Sequence, residues 1–243
     1  MIRHRSLELV LLFPLLVAAQ APQSRALLSA EQIVERMRAA DAARSEQLQG
    51  YTAFRRYVLY NHRFHKQGTI VARLTYRSPG EKSLEVMCED GSRLIRDRVL
   101  KRVIRAEEEA SEAANRGLAR IDLVNYDIQV LGTETDAGLT LYILGLEPRS
   151  RSPYLVRGRA WVDASEYALV RLEGVVAKKP SIWVGSPVIQ QTYVKSGPFW
   201  LPDKNLSTTD APLFGRTDLT IESSGYEIRR APEREAVVVR SGN

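Results

Sequence analysis

The strongest constraint on the fold of this chain is an alternation of apolar and polar residues with a period of two. It begins at Tyr51 and returns in several separate stretches. Side chains of a β-strand point alternately to opposite faces of a sheet, so this period predicts strands with one buried face. Only two segments show helical spacing instead. Strands interrupted by two helices, without a regular strand and helix alternation, predict an antiparallel α+β fold.

The segment GRAWVDASEYALVRLEG, residues 158–174, shows this alternation on both sides of a turn. Residues 163–166 form the turn, because Asp and Ser close turns by bonding to their own nearby backbone. We interpret the segment as a half-buried β-hairpin. Its apolar face is predicted to carry Ala160, Val162, Ala168, Val170 and Leu172. The opposite face would then hold Trp161 and Tyr167 as a cross-strand aromatic pair.

Helical spacing of apolar residues occurs in two segments. Ser29 and Gln32 form a capping box, which predicts the start of a first helix, and Gly50 supplies its stop. A second helix is predicted from Asp97 to about Asn115. Its first half is basic and its second half acidic, which opposes the helix dipole. We therefore expect tertiary contacts to hold the second helix.

The remaining segments complete the expected sheet. Strands are predicted over residues 51–60, 69–76, 83–88, 92–95, 126–130, 138–148, 186–195 and 217–221, besides the hairpin. The stretch 196–215 carries three prolines and is expected to form a long loop.

The amino terminus has the pattern of a secretory signal peptide. Arg3 and Arg5 precede an apolar run over residues 7–19, which leads into the small-residue triplet 19–21. The run is shorter than the ~20 apolar residues that a membrane span needs. We expect residues 1–21 to be cleaved, residues 22–230 to form one periplasmic domain, and residues 231–243 to be a flexible tail. No membrane span is expected.

Cysteine and charge limit the classes of partner. Cys88 is the only cysteine, so neither a lipid-accepting cysteine after the signal peptide nor an internal disulfide is expected. The formal charge of +6 comes from scattered lysines and arginines. Such a surplus can favour anionic surfaces, but export argues against nucleic acid as a partner. We expect a soluble monomer.

Catalytic and metal-binding patterns are incomplete in this sequence. His62 and His65 are the only histidines after the signal peptide, and two ligands are too few for a zinc site. Cys88 lies beside two carboxylates, which disfavour a reactive thiolate. Asp163 and Glu166 are better explained as turn residues than as an acid and base pair. No GxSxG, SxxK, HExxH or phosphate-binding glycine loop occurs. We therefore expect no catalytic residues, no metal and no cofactor.

Three tryptophans stand in similar settings, Trp161, Trp183 and Trp200. Each could stack on a sugar or base, line an acyl-chain cavity, or pack in the core. An exported sheet with a long apolar face, two covering helices and no catalytic set favours a cavity for an apolar ligand.

A family resemblance agrees with this interpretation. The phrases YTAFRRYVLY, EEEASEAA, NYDIQVLG, GRAWVDASEYALVRLEG, KKPSIWV and GPFWLP follow one another along the chain. In this order they resemble the outer-membrane lipoprotein-sorting (LolA/LolB-like) superfamily, which includes the sensor domain of RseB. The resemblance covers nearly the whole mature chain. It implies an incomplete antiparallel β-barrel wrapped over two main helices, with an apolar concave cavity that accepts acyl chains.

The expected function is a non-catalytic carrier that binds acyl chains of lipids or lipoproteins in the cell envelope. Strand parity alone predicts the residues that line its cavity. They are Val58, Ile70, Leu74, Ile128, Val130, Val162, Val170, Leu172 and Leu219. Two alternatives stay open at this point: a periplasmic sensor or interaction domain that binds an envelope protein partner, as RseB does, and a hydrolase.

Overall fold

A computed structural model of the chain describes residues 28–178, 186–212 and 215–232. Helix α1 (Ala30–Gln47) comes first, followed by three strands. A continuous helical segment then contains α2 (Arg93–Ile95), a π-helical stretch (Arg96–Leu100) and α3 (Lys101–Ser111), with a 3₁₀ turn (Arg116–Ala119) after it. Seven further strands complete this part of the chain.

The ten strands follow in chain order. They are β1 (Leu48–Asn61), β2 (Lys66–Arg77), β3 (Glu81–Gly91), β4 (Tyr126–Asp136), β5 (Leu139–Pro148), β6 (Val156–Asp163), β7 (Leu169–Val176), β8 (Val188–Ser196), β9 (Phe199–Ala211) and β10 (Gly215–Arg230).

All ten strands form one open antiparallel sheet. Its order is β3-β2-β1-β10-β9-β8-β7-β6-β5-β4, so each strand pairs with the next one along the chain except β3 with β4, and β10 returns to pair with β1. The edges are β3 and β4, and the chain passes from one edge to the other through the helical segment. The predicted antiparallel α+β fold is confirmed.

The capping box at the first helix is also confirmed. The Ser29 hydroxyl accepts from the Gln32 backbone N–H at 3.3 Å, and the Gln32 side chain accepts from the Ser29 N–H at 3.0 Å. The second helical segment begins earlier than predicted, with Ser92 at the N-cap position, so the predicted short strand 92–95 is wrong. Asp97 instead lies inside the segment, where it accepts from Lys101 at 2.7 Å.

The predicted long loop over residues 196–215 is wrong, because most of it forms strand β9. This strand pairs with both β8 and β10. Proline cannot donate a ladder hydrogen bond and is confined to strand ends and irregularities. Pro198 precedes the strand, Pro212 follows it, and Pro202 lies beside a register shift in the pairing with β8.

A β-bulge changes the face assignment in the hairpin of β6 and β7. Trp161 pairs with Arg171 but Val162 pairs with Leu169, which leaves Val170 as the extra residue. The predicted pair of Trp161 and Tyr167 does not form. The guanidinium carbon of Arg171 instead lies 3.9 Å from the centroid of the Trp161 ring, while Tyr167 lies in the turn.

Candidate functional site

One face of the sheet packs against the helices, and we call it the inner face. Beneath α1, Ile33 and Met37 contact an α1 cluster of strand residues: Tyr126, Leu144, Leu146, Ala160 and Val162. Beneath the second helical segment, Ile95, Leu100 and Ile104 contact an α3 cluster: Tyr57, Leu59, Ile70 and Ala72. The inner face is therefore apolar under both helical elements.

A third buried cluster contains no helical residue. Its buried members are Tyr51, Ala53, Leu74, Phe199 and Leu201. Tyr51 stacks on Tyr76 with ring centroids 4.7 Å apart. The apolar interior is thus divided into three clusters, although a domain usually has one contiguous core with small satellites.

Seven of the nine predicted lining residues belong to these clusters. Ile70, Leu74 and Val162 have no exposed surface. Ile128, Val130 and Leu172 pack at the margin of the α1 cluster, and Leu219 at the margin of the α3 cluster. In this structure they contact other side chains of these clusters.

The other two predicted lining residues lie elsewhere. Val58 pairs with Thr220 and Thr69, whereas its neighbour Leu59 pairs with Leu219. Because successive side chains alternate, Val58 faces away from Leu219 and away from the helices. Val170 is displaced by the bulge, and Leu169 packs against the α1 cluster in its place.

A charged network attaches α3 to the inner face. Glu107 of α3 forms an ion pair with Arg55 of β1, and the side chains are only 9% and 14% exposed for Arg55 and Glu107 respectively. Tyr57 donates to Glu107 Oε2 at 2.8 Å, and Lys82 Nζ donates to Oε1 at 3.1 Å. Arg55 also donates to the Ser223 hydroxyl at 2.7 Å. Glu107 thus connects α3 directly to β1 and β3, and through Arg55 to β10.

The electrostatics of this network keep Glu107 ionised. Burial alone would raise the pKa of the Glu107 carboxyl. The charges of Lys82 and Arg55, together with hydrogen bonds from Arg55 and Tyr57, outweigh burial and lower the pKa to about 2. Burial and the Glu107 charge raise the pKa of Tyr57, so it remains a neutral donor.

Strand β3 is an edge strand, and α3 caps part of its open side. Glu108 accepts from the Leu84 backbone N–H at 2.8 Å, and the Ser111 hydroxyl accepts from the Lys82 N–H at 3.1 Å. Unpaired edge groups are a template for other strands, so these side chains protect the edge. Charged residues, including Arg105 and Glu112, line a pocket of about 680 Å³ beside α3.

Sequence reasoning missed Arg55 and Glu107. A signal for Arg55 existed, because it is the one charged residue in phase with Tyr51, Ala53 and Tyr57 on β1. No comparable signal identified Glu107, which lies in a run of three glutamates.

The other candidate residues have structural contacts. His62 Nε2 lies 2.7 Å from Asp218 Oδ2, while His65 Nδ1 lies 3.3 Å from the Tyr60 hydroxyl. Within the described ranges, no group of three or more His, Cys, Asp or Glu side chains could hold a metal ion. Cys88 is exposed on β3.

The turn between β6 and β7 has the predicted construction. Asp163 Oδ1 accepts from the N–H groups of Ser165 at 2.9 Å and Glu166 at 2.6 Å. Trp200 donates to Glu166 Oε2 at 2.7 Å, and Trp183 lies outside the described residues.

No helix in the part of the chain that the structure describes is long and apolar enough to cross a membrane. The predicted signal peptide and the tail beyond Pro232 lie outside the described residues.

Comparison with known proteins gives structural neighbours only. No family model and no curated protein matches the chain. A LolA superfamily protein from Nitrosomonas europaea is similar with 12% identity and a TM-score of 0.45, over 85% of this chain and 96% of that one. A putative outer membrane lipoprotein-sorting protein domain from Vibrio parahaemolyticus is similar with 13% identity and a TM-score of 0.41, over 83% and 94%.

A third neighbour is the complex of MucA and MucB from Pseudomonas aeruginosa. It is similar with 10% identity and a TM-score of 0.26, over 82% of this chain and 94% of that one. The superfamily named by the sequence resemblance is therefore represented among the structural neighbours.

Proposed function

We propose that the protein is an exported, non-catalytic carrier that binds an acyl chain of a lipid or lipoprotein between the inner face and its covering helices. The observation that carries the proposal is the α3 cluster. It is a largely apolar patch of sheet, in which only Tyr57 carries a polar group, and the helical segment above it covers it with buried Ile95, Leu100 and Ile104 and with partly buried Val103. In this proposal the open sheet is a half-barrel formed by residues 22–230, delivered to the periplasm by cleavage after residue 21.

Displacing the second helical segment has a cost that a bound acyl chain must offset. If the segment moves away, the Glu107 network is lost, which costs about 3 kcal/mol after hydration of Glu107, Arg55 and Lys82 is included. The three apolar helix side chains lose about 1.5–3 kcal/mol each when exposed. An acyl chain that replaces them gains ~0.8 kcal/mol per buried methylene. A chain of about 10–15 methylenes therefore offsets the loss.

Native mass spectrometry of the mature protein tests this function. The probes are a palmitoyl lysophospholipid, a palmitoylated peptide, and glycerophosphocholine as a control without an acyl chain. We expect 1:1 complexes with both acylated probes and none with the control. Absence of complexes with the acylated probes would overturn the proposal.

A second candidate function is the binding of an envelope protein partner, which the two edges of the sheet favour. The β3 edge is partly capped by Glu108 and Ser111, but no comparable side-chain cap of a β4 N–H group occurs among the described residues. Strand β4 also exposes 52% of Leu131. A partner could add a strand there. Photoreactive crosslinking in cells from position 131 tests this candidate, with position 188 as the control. A protein adduct unique to position 131 is expected, and identical adducts from both positions would contradict it.

A further inference from the structure

A second pocket lies at the other helix, away from the α3 network. It opens between the first half of α1, the hairpin of β4 and β5, and the turn between β6 and β7, with a volume of about 850 Å³. Its lining includes Leu28, Arg36, Leu139, Thr140, Tyr142 and Tyr167. Polar side chains, among them Asp163 and Ser165, share this lining with the apolar ones.

Arg36 is the accessible cation of this pocket. Its Nη1 donates to the Tyr167 hydroxyl at 2.5 Å, and its guanidinium carbon lies 5.3 Å from the centroid of the same ring. Tyr167 stacks on Tyr142 with ring centroids 6.3 Å apart. These contacts fix the guanidinium against an aromatic wall.

Other arginines of α1 are neutralised by neighbours, but Arg36 is not. Arg38 pairs with Glu35 at 2.7 Å, and Arg44 pairs with Asp41 at 2.6 Å. In the described part of the chain, no carboxylate lies within ion-pair distance of Arg36. Its remaining N–H donors are therefore available to a ligand, and a planar guanidinium suits carboxylate and phosphate.

The other charged group of the pocket is turned into its own loop. Asp163 is 2% exposed, and its Oδ1 accepts from the N–H and the hydroxyl of Ser165 and from the N–H of Glu166. The turn therefore satisfies Oδ1 of this carboxylate. Arg36 is the group of this pocket that can donate charge-assisted hydrogen bonds to an incoming ligand.

We propose that this pocket binds the oxyanion group, carboxylate or phosphate, of a small amphiphile. The oxyanion accepts from Arg36, and the apolar part lies against Leu28, Leu139 and the two tyrosines. The site goes beyond the proposed carrier function, because its lining shares no residue with the α3 cluster.

Isothermal titration calorimetry below the micellar concentration tests the site. The ligands are decyl phosphate, decanoate, neutral decyl maltoside and inorganic phosphate. The variants are Arg36→Gln and, as a control on the same helix, Arg38→Gln, which removes a charge outside the pocket together with its ion pair to Glu35. A charge-assisted hydrogen bond contributes about 1.5–3 kcal/mol, so Arg36→Gln should weaken binding of both anionic amphiphiles at least ~10-fold. Arg38→Gln should change it less than ~2-fold.

Each outcome separates this site from the carrier function. Anionic binding that depends on Arg36, with weak binding of inorganic phosphate, supports the site. Equal binding of decyl maltoside, or equal loss in both variants, overturns the oxyanion site while acyl-chain binding at the inner face still stands. Inorganic phosphate that binds as tightly as decyl phosphate overturns the assignment to an amphiphile. Tyr167→Phe removes the hydroxyl that positions Arg36 and should weaken anionic ligands only.

Discussion

The substitution Glu107→Gln should destabilise the protein and loosen α3. The variant keeps the shape of the side chain but leaves Arg55 and Lys82 without a carboxylate. The pKa of Glu107 falls from 4.5 to about 2 in the folded protein, which corresponds to a stabilisation on the order of 3 kcal/mol. Removing one partner of a buried ion pair costs about 3–5 kcal/mol in other proteins, in agreement with this magnitude.

Urea unfolding at pH 7 measures the effect, with Glu109→Gln as the matched control on the exposed side of the same helix. We expect a loss of about 3 kcal/mol for Glu107→Gln and less than ~0.5 kcal/mol for the control. Amide exchange should also accelerate in α3 before it does in β1. A loss below about 1 kcal/mol in Glu107→Gln would refute the reasoning, because the network would then not hold the helix.

The dependence of stability on acid pH is a second test of the Glu107 carboxyl. The folded pKa of Glu107 lies below its unfolded value, so its contribution is fully present above about pH 4.5 and is lost as the pH falls towards 2. The Glu107→Gln variant should therefore lose less stability than the natural chain between these pH values, and equal losses would contradict the assignment. Leu59→Asp should lower the free energy of unfolding by several kcal/mol, because it buries a charge in the α3 cluster. Val58→Asp should lower it by less than ~1 kcal/mol, because Val58 lies on the opposite face. Thermal melts of the two variants compare these losses. Ser29→Ala should cost about 1 kcal/mol through loss of the capping box, and an unchanged melting temperature would contradict that role. Mass spectrometry of the exported protein should find Pro22 at its amino terminus, and a different terminus would exclude the expected cleavage site.

Local features of the sequence predicted local structure well. The capping box at Ser29 and the turn at Asp163 depend on residues within three positions, so their patterns were sufficient. Strand β9 was missed because its prolines were interpreted without knowledge of its neighbours. Only the pairing with β8 and β10 shows that Pro202 can be accommodated at a register shift.

Long-range features could be predicted only in part. Strict alternation correctly placed seven of the residues predicted to line a cavity on the inner face, but it failed at Val170, where a bulge inserts one residue. Val58 was assigned to the wrong face of the sheet, because β1 has apolar residues on both faces. Arg55 and Glu107 are 52 positions apart, and their contact depends on how α3 lies on the sheet.

The location of a bound acyl chain tests the central claim most directly. A fatty acid with a terminal diazirine can be photolysed in complex with the mature protein, and the labelled residues can then be identified by peptide mass spectrometry. The account predicts adducts on the α3 cluster, including Leu59 and Ile70, and none on the adjacent but outward-facing Val58. Labelling of Val58 without Leu59 or Ile70 would contradict an acyl-chain site on the inner face.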